Sequence, residues 1–179
     1  MPTGFFMNKK TVCDIDFQET RALVRVDFNV PLDGGAVSDD TRIRAALPTV
    51  THILDNGGSV VLMSHLGRPK GSRDPAFSLL PAAECLSDLL ARPVAFAPDC
   101  VGAEVEAMAG AMTAGDVLLL ENLRFHPEEE GKVIAEDANA EAREDMHARQ
   151  REFARRLSVL GDVYVDDAFG TAHRAHASM

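Results

Sequence analysis

The sequence predicts an α/β fold: three layers, α/β/α, around a mainly parallel, Rossmann-like sheet. Two observations carry this expectation. Short, β-branched and nearly all-apolar runs recur five times along the chain, as strands covered on both faces require. Each of the first four is followed by a segment with helical apolar spacing, the alternation that makes a parallel sheet with crossover helices.

Residues 22–30, ALVRVDFNV, read as the first strand, ended by Pro31 and the turn residues Asp33, Gly34 and Gly35. Asp40-Thr41 can cap a helix with Ile43, Leu47, Val50, Ile53 and Leu54 on one face, and Asn56-Gly57-Gly58 stops it. The second strand is 59–63, SVVLM, and a polar loop runs to about Ser78. Leu79, Ala83, Leu86 and Leu90 have helical spacing, 94–96 is a short strand, and 101–112 is helical. Residues 117–120, VLLL, form a strong buried strand, followed by a solvated loop, PEEEG, at 127–131. A charged helix over 137–160 buries Met146, Phe153 and Leu157 and ends at Gly161; 162–165 is the last strand. The acidic stretch 128–145 is expected to be a solvated loop and helix face.

A length of 179 residues suits one domain or at most one and a half. The expected division is a short leader over 1–8 and a substrate domain over 9–179. Its 18 basic and 28 acidic side chains give a net charge of −10, which argues against general binding to nucleic acid or an anionic membrane. No apolar run approaches the ~18 residues of a membrane span. Cys13, Cys85 and Cys100 are odd in number, widely spaced and without a CxxC pair, which points to a reducing, cytoplasmic compartment and to neither a disulfide framework nor a zinc knuckle.

Ligands of open parallel sheets sit beyond the carboxyl ends of the strands. In this chain those ends carry Asp27 and Asn29; His65 and Arg68; Arg124 and His126; and Arg174 with His173 and His176; Arg42 follows the first loop. An acidic protein thus gathers guanidinium and imidazole groups on one side of its sheet, and a small polyanion is the expected ligand. Arginine suits it because its planar fork makes paired hydrogen bonds to phosphate or carboxylate and keeps its charge. Asp27 can be a general base, a partner for a substrate hydroxyl or a strand-end cap. His173 and His176 lack the HExxH frame or thiolates of a zinc site, so no metal site is assigned. No GxxxxGK[ST] or GxGxxG is found, so no nucleotide cradle is expected.

Five stretches in order, RVDFNVP (25–31), DTRIRAALPT (40–49), VLMSHLGRP (61–69), LENLRF (120–125) and DAFGTAHRAH (167–176), resemble the amino-terminal domain of phosphoglycerate kinase, over nearly the whole chain. The resemblance implies that Asp27 and Asn29 hold the C2 hydroxyl of 3-phosphoglycerate, that His65, Arg68, Arg124 and Arg174 surround its 3-phosphate, and that Arg42 lies beside its carboxylate as the catalytic cation. It implies a glycolytic kinase acting with magnesium ATP or ADP, whose site belongs to a second domain beyond a hinge. The chain is therefore expected to be a truncated, catalytically incomplete half whose partners are 3-phosphoglycerate and either the missing carboxy-terminal domain or another copy of itself. A stand-alone phospho-acid module and a degenerate half-kinase with a regulatory or interaction role are the alternatives.

Overall fold

A computed structural model describes residues 10–133, 139–168, 170 and 172–179. The expected leader, the start of the charged helix at Asp137, and Phe169 and Thr171 of the last motif lie outside the described residues.

Five strands form one parallel sheet: β1 (Arg21–Val26), β4 (Ser59–Met63), β5 (Ala95–Phe96), β6 (Val117–Leu119) and β7 (Val163–Asp167), in the spatial order β5-β6-β4-β1-β7. The register pairs Leu23 with Val61 and Tyr164, and Val61 with Leu118. Alternation along each strand splits the core between the two faces. Ala22, Val24, Val60, Leu62 and Leu119 pack under α1 (Thr41–Asp55) and α2 (Leu80–Leu90), through Ile43, Val50, Ile53, Ala83 and Leu86. On the opposite face Leu23, Val61, Met63 and Leu118 meet α3 (Ala103–Gly110) and α5 (Ala140–Ser158), through Val105, Ala109, Phe153 and Leu157. The three layers and their helix faces are those the periodicity predicts.

Three local expectations need correction. First, Asp40 occupies the cap position of α1, but its carboxylate is held by Arg44, through Nε at 2.9 Å and Nη2 at 2.7 Å; Asp39 instead accepts from Thr41 N at 2.9 Å. Second, the strand predicted to reach residue 30 ends at Val26, and the chain turns into a small hairpin of β2 (Leu32–Asp33) and β3 (Ala36–Val37). Third, 127–131 is not a solvated loop: Pro127–Glu130 form a turn of helix, α4, with Glu129 fully buried. An acid inside a core needs hydrogen-bonding partners to offset desolvation, and here residues near 178 supply them.

Among the described residues, no helix is long and apolar enough to cross a membrane. At the sheet edge, Tyr164 of β7 is 46% exposed, beside an apolar cleft of about 360 Å³ lined by Leu23, Met63, Leu157 and Ala177.

Candidate functional site

β1 and β4 run side by side in the centre of the sheet, and their carboxyl ends open into a cavity of about 800 Å³. The seven residues that the resemblance assigns to the substrate line it: Asp27 and Asn29 after β1, Arg42 at the start of α1, His65 and Arg68 after β4, Arg124 after β6, and Arg174 after β7; His173, also placed at a strand end by sequence, is exposed and does not line it. Lys70, Lys132, His126 and His176 complete its basic wall, and Glu130 adds a second carboxylate. His126 and His176 were placed at the strand ends by sequence; Lys70 and Lys132 were not, since single exposed lysines carry no pattern.

The loops are tied together before any ligand arrives. Asn29 Oδ1 accepts from Gly67 N at 2.8 Å, and Arg124 Nη1 donates to Gly67 O at 2.8 Å, so the loop after β4 is gripped from both neighbouring strand ends. Gly67 has φ +61°, and a Cβ there would lie 2.3 Å from the Phe77 ring; only glycine fits this close passage. Asn122, fully buried, donates Nδ2 to Leu66 O at 2.7 Å and to Phe77 O at 2.9 Å, while its Oδ1 accepts from Arg124 N at 3.0 Å. Glu121 accepts from Leu79 N and Ser78 Oγ. In the sequence these two residues stand out only as part of the LENLRF stretch. They brace the cavity wall from behind.

Asp27 and Arg42 form an ion pair, and Asn29 N also reaches Asp27 Oδ1 at 3.2 Å. The amide nitrogen of Asn29, whose oxygen is taken by Gly67, is the group left to face the cavity. Arg124 Nη2 lies 3.7 Å from Glu130 Oε1, and Lys132 holds the same oxygen at 3.1 Å. Although burial pulls the Glu130 carboxyl upward, Lys132 and Arg124 hold it below its usual range. Two buried nitrogens of residues in the wall, Arg124 Nε and His176 Nδ1, have no hydrogen-bond partner; His176 Nδ1 lies 3.7 Å from the buried carboxylate of Glu129. Arg68 and Arg174 are exposed, and neither forms an ion pair with another described residue.

His65 is buried, with its Nδ1 3.0 Å from Arg25 Nη2. Burial first, then the positive charges of Arg124, Arg25, His176 and Arg42, push its pKa down to about 3. It is a neutral imidazole in a basic cavity.

Asp99, Cys100 and His126 bring a carboxylate oxygen, a thiol and an imidazole nitrogen within 4.8 Å of one another. Burial drives the Cys100 thiol well above its ordinary pKa. Burial also pulls Asp99 upward, but hydrogen bonds from His126 and Cys100 hold it at about 2. His126 Nε2 meets Asp99 Oδ1 at 2.6 Å while its ring stacks on Phe153 at 5.0 Å. With the thiol protonated and the carboxylate engaged, the trio acts as a hydrogen-bonded brace for the His126 ring. The three cysteines are free.

Among the described residues, the two carboxylates that line the cavity are both paired, Asp27 with Arg42 and Glu130 with Lys132 and Arg124.

Comparison with known proteins bears on the same residues. A family model described as phosphoglycerate kinase matches residues 12–179. The phosphoglycerate kinase of Chloroherpeton thalassium is 58% identical over 172 residues, and that of Chlorobium luteolum 56% over 173; each alignment covers 96% of this chain and 39% of the relative. Among solved structures, phosphoglycerate kinase from Pyrococcus horikoshii OT3 superposes with a TM-score of 0.74 at 30% identity, covering 93% of this chain and 38% of that one. The enzyme from Coxiella burnetii gives 0.70 at 33% identity, covering 93% and 37%. The chain thus spans about two fifths of the length of the relatives it matches.

Proposed function

Because this chain belongs to the phosphoglycerate kinase family, we propose that its basic cavity is the 3-phosphoglycerate site of a kinase transferring a phosphoryl group between ATP and the carboxylate of that acid. One observation supports this reading above others: three strand ends and the start of α1, in a chain of net charge −10, deliver their arginine and histidine side chains to a single cavity.

The chemistry needs such a wall. Transfer to a carboxylate brings two anions together, so catalysis is largely positioning and the stabilisation of charge in flight. The acceptor is already ionised near neutrality, and no general base is required. Asp27 therefore serves as acceptor for the C2 hydroxyl, with the Asn29 amide as donor beside it. Arg124, His65, Arg68 and Arg174 take the phosphate; the orphaned Nε of Arg124 gains a partner there. Arg42 leaves Asp27 for the substrate carboxylate when the hydroxyl takes its place. Such an exchange is cheap, since a solvent-exposed ion pair contributes only ~0–1 kcal/mol.

The magnesium nucleotide is assigned to the part of the relatives that this chain does not span, so residues 9–179 are the acid-binding half and, alone, catalytically incomplete. The nucleotide-binding part, or a second copy, is the partner expected at the apolar β7 edge. The free cysteines accord with a cytoplasmic setting. Calorimetric titration of the chain with 3-phosphoglycerate and, separately, with magnesium ATP tests this. Binding of the acid alone supports it. Binding of neither favours a degenerate interaction partner, and ATP-dependent turnover refutes the incompleteness.

A further inference from the structure

β1 carries two arginines, Arg21 at its partly exposed start and Arg25 in its interior. Arg25 is fully buried, on the same face of the sheet as Leu23. A guanidinium without access to water must spend every donor on a protein acceptor. Its Nε donates to Ser178 Oγ at 3.0 Å, Nη1 donates to Val26 O, and Nη2 reaches His65 Nδ1 at 3.0 Å. Ser178, buried in turn, gives its hydroxyl hydrogen to Glu129 Oε1 at 2.6 Å and its backbone N–H to Oε2 at 3.1 Å. Glu129, the acid mispredicted as solvated, is therefore the counter-charge of Arg25, reached through a hydroxyl.

The hydrogen-bond directions in this chain are forced. Arginine only donates, so Ser178 Oγ accepts from it and has one hydrogen left, which goes to the carboxylate. By the same logic His65 Nδ1 must carry a lone pair, and the ring's hydrogen sits on Nε2. A protonated ring would set two N–H groups against each other across 3.0 Å. We propose that Glu129, Ser178 and Arg25 form a buried positioning chain that fixes His65 as a neutral Nε2–H donor toward the cavity it lines.

This inference rests on reading the cavity as an anion site and gives His65 a definite part in it. A free imidazole divides its population between two tautomers and a cation. Here one orientation and one donor are set in advance, so the ligand pays no cost for selecting them. The electrostatics agree: the charges facing the ring, Arg25 from β1, Arg42 from α1, Arg124 after β6 and His176 from the last segment, all disfavour a second positive charge on it.

Long-range ¹H–¹⁵N NMR of the labelled chain reads the tautomer of His65 without any ligand, and calorimetry on the same sample reads 3-phosphoglycerate affinity. A single neutral Nε2–H form persisting well below the ordinary histidine pKa is expected. Ser178→Ala, which removes the hydroxyl link and keeps the backbone N–H on Glu129, should yield mixed tautomers and weaken 3-phosphoglycerate binding about tenfold, and Ser178→Thr should restore both. Arg25→Met should in addition let His65 titrate nearer its ordinary range. An Nδ1–H or protonated His65 in the unaltered chain, or a tautomer unchanged in Ser178→Ala, would overturn the proposal. An unaltered chain with the expected tautomer but no affinity for the acid would refute the reading of the cavity, leaving the tautomer result to stand for the positioning chain.

Discussion

The guanidinium of Arg42, in the first turn of α1, donates to the carboxylate of Asp27, just past the end of β1. Fifteen residues apart in sequence, the two hold each other in the wall of the cavity.

From that pairing, Arg42→Ala should weaken 3-phosphoglycerate binding roughly tenfold while shifting stability by less than ~1 kcal/mol, because an exposed pair contributes little to folding. Calorimetry and urea unfolding of the same variant check the two halves of the prediction. A large loss of stability would make Arg42 a structural residue.

Arg124 differs, since its fork grips Gly67 O through Nη1 and its Nε is buried without a hydrogen-bond partner. Replacement by lysine keeps the charge but not the fork. We expect Arg124→Lys to lose affinity for the acid almost as far as Arg124→Ala, roughly 10- to 150-fold. Full retention in the lysine variant would show that charge alone is used.

Gly67→Ala combines a left-handed backbone with a clash against Phe77. The backbone part should cost ~1–2 kcal/mol, and the clash should add to it. In a double-mutant cycle, Phe77→Ala should relieve the clash and leave the backbone part, so the two changes should be less than additive in urea unfolding.

The neutral His65 sets a pH dependence. Its folded pKa is about 3, against an ordinary value of 6.5. Between those values the unfolded chain binds the extra proton, so stability is fully present above the ordinary pKa and falls as the pH falls toward 3. This residue alone should contribute a loss of up to about 1.4 kcal/mol per pH unit. His65→Gln should flatten that slope when urea midpoints are compared near neutral pH and about one and a half units lower. An unchanged slope would place the titration elsewhere.

Much of this architecture is legible in the sequence because period and burial coincide. The run 59–63 is apolar at every position after Ser59 and is buried at every position of β4. Met146, Phe153 and Leu157 stand out on a charged helix and are its three buried residues. The seven cavity residues could be found because parallel topology brings strand ends together, wherever they fall in the chain. What could not be read is polar burial. Arg25 sits in an apolar strand and Glu129 in a run of three glutamates, and composition gives each to solvent; only the tertiary approach of Ser178 makes a buried acid and a buried base tolerable. Asn122 is illegible for a related reason, because its three partners lie in loops whose paths depend on it.

The account stands on one claim, that separate loops deliver their cations to a single phospho-acid. Amide NMR of the chain titrated with 3-phosphoglycerate at constant ionic strength tests it most directly. Resonances around residues 27–29, 65–68, 124 and 174 should shift together and saturate at one common ligand concentration. Shifts confined to one of these loops, or unsaturated drifts spread over the acidic surface, would contradict it.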